Sequence, residues 1–166
     1  MPSIRKALGI AVVGMLFGTS DAGYAHSVKR HSAHFRAQEA ETTRTSVEAA
    51  NAALLRRWYE TVLGPLDPEP VDTFLAPDFI QHSKLAQPGP EGVKNFVRQM
   101  RGLWRRPRLT ILRIFADGDF VVGQVHQERF EGDPGLSIVN IYRVENGRLK
   151  EHWGNLQAVE GNPPGK

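Results

Sequence analysis

Between Phe120 and Gln157 the chain reads FVVGQVHQERFEGDPGLSIVNIYRVENGRLKEHWGNLQ, three strand-like runs separated by Gly-containing turns. Turns at this spacing require successive runs to fold back on one another. Asn146-Gly147 is a strong hairpin signal, because both residues tolerate positive φ. Each run also holds a polar residue among apolar neighbours, at His126, Asn140 and His152. A sheet face buried in a closed core ordinarily carries Val, Ile or Leu at such positions. Repeated polar groups in apolar strands therefore point to a pocket lined by chemistry, with a small molecule as partner.

What precedes this meander is helical. Val47, Leu54, Leu55, Trp58, Tyr59 and Val62 recur at helical spacing, behind a capping-box pattern at Thr45 and Glu48. Gly64 and Pro65 end that helix. A short second helix is predicted over Pro70 to Leu75, stopped by Ala76-Pro77. Asp78 to His82 reads as a brief extended segment. A third helix follows over Glu91 to Leu103, with Val93, Phe96, Val97, Met100 and Leu103 on its apolar side. A further strand, Leu109 to Ala116, leads into the turn Asp117-Gly118-Asp119. About three helices followed by an antiparallel meander make an α+β domain, with the helices packed on one sheet face. The domain is expected over residues 45–160, and the tail 161–166 is expected to be disordered.

The N-terminal segment has the form of an export signal. Arg5 and Lys6 precede an apolar run from Ala7 to Phe17, and GTSDAGYAH then offers cleavage after Ala25 or Ala22. The run is shorter than the ~20 residues a membrane-spanning helix needs. Residues 1–25 are thus expected to be a secretory signal peptide. The mature protein is expected to be periplasmic or secreted, without a stable membrane span. Residues 26–44 are polar and read as a flexible leader. They include His26, His31 and His34, and no metal site is assigned to them.

The formal charge is +3, and much of the basic excess is local, between Arg98 and Arg108. That is no footprint for nucleic acid. Cysteine is absent, which excludes disulfides, thiolate metal sites and a cysteine nucleophile within the chain. Ser83 and Ser137 lack the GxSxG surroundings of an activated serine.

Chemistry therefore falls to the histidines, the side chains best poised for proton transfer near neutrality. Alternation groups His126 with Phe120, Val122, Gln124 and Glu128. Asn140 falls with Leu136, Ile138 and Tyr142, and His152 with Lys150 and Gly154. Antiparallel pairing brings His126, Asn140 and His152 together if register and faces match. The plainer alternative is that each histidine satisfies a buried backbone group. Three imidazoles can also bind zinc, but the domain has no close His pair, and neither metal nor cofactor is expected.

FIQHSKLAQPGPEGVKNF (Phe79 to Phe96), DGDFVVGQVHQ (Asp117 to Gln127) and IVNIYRVENGRLKEHWGNLQ (Ile138 to Gln157) resemble SnoaL-like proteins of the nuclear transport factor 2-like superfamily. The resemblance runs from about Ser46 to Val159. It implies a cone-shaped, curved antiparallel sheet wrapped by helices around a deep pocket, and a homodimer formed through the sheet. Characterised relatives include cofactor-independent polyketide cyclases that carry out intramolecular aldol condensation. By the same resemblance His82, His126 and His152 become the catalytic candidates, while the alternation above gives Gln124, Asn140 and Tyr142 as pocket-lining residues, with Asn155 as a further hydrogen-bonding one. Two departures stand out. Relatives usually read V-D-I-F-R-V-E-N-G and E-H-W-D in the last two strands, and here the acidic positions are Asn140 and Gly154. The leading expectation is an exported pocket protein that binds a small, largely apolar molecule. The alternative is a lyase or isomerase that uses pocket histidines as acid and base.

Overall fold

The computed structural model describes residues 45–160. Helix α1 occupies residues 45–58 and closes with a wider π turn, Tyr59–Leu63, in which the Gly64 N–H reaches back to the Tyr59 carbonyl at 2.7 Å. The widened turn lets two consecutive aromatics, Trp58 and Tyr59, both be buried against the sheet. Glu48 accepts the Gly118 N–H and Asn51 donates to the Gly118 carbonyl, which pins α1 to a hairpin turn. Helix α2 is one turn, Val71–Phe74, and α3 spans Gly89–Leu103. Pro90 near the α3 start suits a first helical turn, where its missing N–H costs nothing.

Five strands follow the order β1-β5-β4-β3-β2: β1 Leu75–Gln81, β2 Arg108–Asp117, β3 Phe120–Glu128, β4 Leu136–Glu145 and β5 Arg148–Ala158. Strands β2 to β5 form the expected antiparallel meander. Asn146 and Gly147 both have positive φ, 51° and 70°, as a two-residue hairpin turn requires. Two local expectations change. Ala76-Pro77 lies inside β1 rather than between helix and strand, and β1 pairs with β5 in parallel. Its residues still sit at an edge, where proline is tolerated because one side of the ladder has no partner.

Register shifts within the β1–β5, β2–β3 and β4–β5 pairs mark bulges. Bulges bend strands and increase twist, and the open sheet curves around the helices. Leu55, Trp58, Tyr59 and Val62 from α1 meet Val97 from α3 and Val121, Val125 and Leu149 from the sheet in one core. Beside this core, residues of β1, α3 and strands β3 to β5 enclose a cavity.

Candidate functional site

The cavity measures about 430 Å³, within the range typical of small-molecule sites. Its wall is apolar over most of its extent: Trp58, Leu66, Phe79 and Val93 from the helical side and β1, Phe96, Met100 and Trp104 along α3, and Val125, Ile138 and Leu156 from the sheet. Its polar lining residues are Gln81, Asn140, Tyr142 and His152, which cluster together, Gln127 on β3, and Ser83, Lys84 and Gln99 from the β1–α3 connection and α3. Among the described residues the lining contains no Asp or Glu.

His152 is the centre of that polar cluster. Its Nδ1 lies 2.7 Å from Gln81 Oε1 and its Nε2 lies 2.9 Å from Asn140 Oδ1. Tyr142 stacks on the ring at 4.5 Å. Gln81 Oε1 also takes the Ser83 backbone N–H at 3.1 Å, so it is fixed as an acceptor and Nδ1 carries a proton. With Asn140 Oδ1 toward Nε2, both ring nitrogens face acceptors, an arrangement that suits an imidazolium. Burial opposes that charge and, with the repulsion of His82, lowers the pKa to about 4. The neutral ring needs a donor at Nε2. Asn140 supplies one if its amide turns by half a revolution, its oxygen then accepting from the Tyr59 hydroxyl 3.1 Å away. Near neutral pH burial decides, and His152 is an uncharged ring engaged at both nitrogens.

Two tyrosines complete the cluster. Trp58 Nε1 donates to the Tyr142 hydroxyl at 3.1 Å. An indole N–H can only donate, so Tyr142 keeps its own proton to give, and among the described residues no protein acceptor takes it. Tyr59 lies behind Asn140, with its hydroxyl 3.4 Å from the Gly123 carbonyl. Burial raises the pKa of both phenols, so they stay neutral. Gly123 is required by this contact, since a Cβ there would sit 2.3 Å from the Tyr59 hydroxyl. Gly154 lies beneath the His152 ring, where a Cβ would come within 3.0 to 3.2 Å of His152 and Asn140.

The three histidines do not converge. His152 faces the cavity, while His126 and His82 lie on the other side of the sheet. His126 is buried beneath the β3–β4 loop, where its Nε2 donates to the Pro134 carbonyl at 2.7 Å. That is the backbone-satisfying role, and Gly135 packs directly on the ring. His82 stacks on Trp153 at 4.5 Å and meets Glu151 at 3.0 Å, partly exposed. Those contacts and Arg143 hold the Glu151 carboxyl below its usual range. Asn140 and Tyr142 line the cavity, whereas Gln124 and Asn155 do not. Gln124 accepts from Arg113 at 2.7 Å on the outer face, and Asn155 is exposed.

The reason is alternation. On β3 the inner set is Val121, Gly123, Val125 and Gln127, not the set containing His126. Trp58, Tyr59, Gln81 and Gln127 thus belong to the site without having been singled out by the sequence. Gly123 was the available signal, because a glycine inside a strand marks close approach of another group. Among the described residues no group of His, Cys, Asp and Glu is placed to hold a metal ion. No helix there is long and apolar enough to cross a membrane.

The arrangement matches known proteins at the level of family and fold. The family model described as SnoaL-like domain matches residues 55–152. Among solved structures, a candidate polyketide cyclase from Bacillus cereus superposes with TM-score 0.58 at 19% identity, covering 65% of this chain and 74% of that one. A candidate ketosteroid isomerase from Kribbella flavida gives TM-score 0.55 at 21% identity, over 71% of this chain and 85% of that one. A candidate SnoaL-like polyketide cyclase from Jannaschia gives 0.57 at 21%, over 67% and 88%. At such identities the structural likeness speaks for the fold alone. No protein of curated function matches. With most of its described domain matched by that family model, and with the curved sheet and helices of the nuclear transport factor 2-like fold, the chain belongs to the SnoaL-like family.

Proposed function

We propose that the cavity binds a flat, largely apolar small molecule and releases it unchanged. One observation carries this reading: among the described residues the polar end of the cavity holds a single imidazole, engaged at both nitrogens, with no carboxylate beside it. Such a ring, with its pKa near 4, is poorly matched to proton abstraction, for which the best base titrates near the working pH. Tyr142 instead offers an unshared O–H donor at the cavity wall, suited to a ketone or similar acceptor oxygen. The apolar walls supply affinity and the hydroxyl orients the guest.

The second reading is a cofactor-independent lyase or isomerase in which His152 removes a proton next to a carbonyl. The kinship with candidate cyclases and isomerases favours it. The two separate in one experiment. Aromatic ketones are titrated into the labelled protein, His152 and Tyr142 resonances are followed, and the ketone is analysed after long incubation. Binding predicts shifts at both residues, recovery of intact ketone, and about tenfold weaker affinity in Tyr142→Phe. Turnover that disappears in His152→Gln would instead establish the enzyme.

Export and self-association complete the proposal. The segment 1–25 is an export signal in this reading, tested by the N-terminal sequence of protein recovered outside the cytoplasm. Phe115, Phe120 and Val139, exposed on the outer sheet face beside Trp153, would meet their counterparts in a homodimer. Light scattering of wild type and Phe120→Lys tests this, with a dimer expected only for wild type.

A further inference from the structure

Gln127 is buried to 3% exposure, yet it lines the cavity well away from the His152 cluster. Both of its amide protons are committed. Nε2 donates to the Arg108 carbonyl at 3.2 Å and to the Glu128 carbonyl at 2.8 Å. Those two backbone acceptors fix the amide in one orientation, since the reverse would set oxygen against oxygen. No donor among the described residues reaches Oε1, and the atom is not sealed from contact. A buried, oriented acceptor without a protein donor costs stability unless something in the cavity donates to it.

Its place in the sheet sets a distance. Gln127 pairs with Leu136, and Gly123 pairs with Asn140. Tyr142 lies six residues beyond Leu136 on β4, so about 20 Å of strand at ~3.3 Å per residue separates the Gln127 position from the Tyr142 donor. Val125 and Ile138 lie between them as a cross-strand apolar pair on the cavity wall. The sheet wall of the cavity is therefore apolar in its middle and polar toward two separated points of opposite character. Tyr142 gives a proton at one, and Gln127 takes one at the other.

We propose that Gln127 determines specificity by selecting an elongated ligand with a hydroxyl or N–H donor at the end remote from its acceptor oxygen. This inference rests on the pocket-binding reading above and adds to it a second, donor-specific anchor. A ligand without that donor leaves Oε1 buried and unpaired, a loss that corresponds to about tenfold in affinity. A methoxy group in its place brings an acceptor against an acceptor and binds no better than hydrogen.

The test uses 4-acetyl-p-terphenyl and its hydroxy and methoxy analogues, substituted on the ring remote from the ketone, with affinities from calorimetry or NMR titration. For wild type the hydroxy compound should bind about tenfold tighter than the other two. In Gln127→Met, which keeps bulk and removes the acceptor, the three should converge. The ligand comparison on wild type needs no variant, so a poorly folded Gln127→Met leaves the question decidable. Equal affinities in wild type overturn the Gln127 anchor while leaving the pocket reading intact. A preference that survives in Gln127→Met overturns it too. Failure of all three compounds to bind overturns the pocket reading, and this inference with it.

Discussion

Acid should unfold this domain partly through one ring. In the fold, burial and the nearby His82 hold the His152 pKa at about 4, against an ordinary 6.5. The unfolded chain restores the ordinary value, so between these two the unfolded state binds the additional proton. Stability therefore rises with pH across that window. The contribution is complete above about pH 6.5, shrinks as the pH falls, and is lost below about pH 4. At ~1.4 kcal/mol per pKa unit the whole effect is about 3 kcal/mol at most, a large share of a typical domain's stability. Turning of the Asn140 amide toward the imidazolium orientation would reduce it. His152→Gln removes the titrating ring and keeps an amide able to reach Gln81 or Asn140. Urea denaturation of both proteins from about pH 7.5 to pH 4 supplies the measurement. The stability of wild type relative to the variant should fall by about 2–3 kcal/mol over that range. Other titrating groups are common to both proteins and largely cancel. Parallel stability profiles would refute the reasoning, because they would mean that the ring titrates alike in the folded and unfolded chains.

Three further substitutions probe the same architecture. Gly154→Asp places a carboxylate against His152 and should raise the ring's pKa by about 1–3 units, read from ring-nitrogen chemical shifts; no change would contradict the cavity-facing placement of residue 154. Gly123→Ala drives a methyl group to within 2.3 Å of the Tyr59 hydroxyl and should cost about 1–3 kcal/mol. A lower melting temperature is the expected result, and an unaltered one would show that Tyr59 does not press on β3. Asp133 is buried and accepts from the Arg129 backbone and guanidinium and from the Gly135 N–H. Asp133→Ala should cost about 2 kcal/mol and speed amide exchange at Gly135, while unchanged exchange would mean the loop is held by other contacts.

The Gln127 and His126 pair shows how far the sequence reaches into the site. Both residues are polar, they are adjacent on one strand, and alternation necessarily sends them to opposite faces. The pattern separates the two sets but carries no label for which set the helices will cover. His126 looked chemical, yet the β3–β4 loop folds over it and engages its ring with a carbonyl. Gln127 looked incidental, yet it faces the cavity. His82 and His152 divide in a similar way. Backbone hydrogen bonding holds His82 beside His152, with the His82 N–H 2.9 Å from the His152 carbonyl, while their side chains go to different faces.

What the sequence by itself determined is local or periodic. Asn146-Gly147 made a hairpin because its φ angles suit no other connection so well. The apolar face of α3 and the alternating runs of the meander made helices and strands because those spacings bury one side. The segments shared with SnoaL-like proteins identified the family, and Asn140 and Gly154 already showed that its two carboxylates are missing. Only the tertiary structure decided which faces bound the cavity, that β1 joins β5 in parallel, and that His152 alone of the three histidines reaches the pocket. Those outcomes depend on contacts between residues far apart in the chain, such as Trp58 with Tyr142 and Gln81 with His152. Such contacts are set by packing and by sheet register, and neither leaves a period in the sequence.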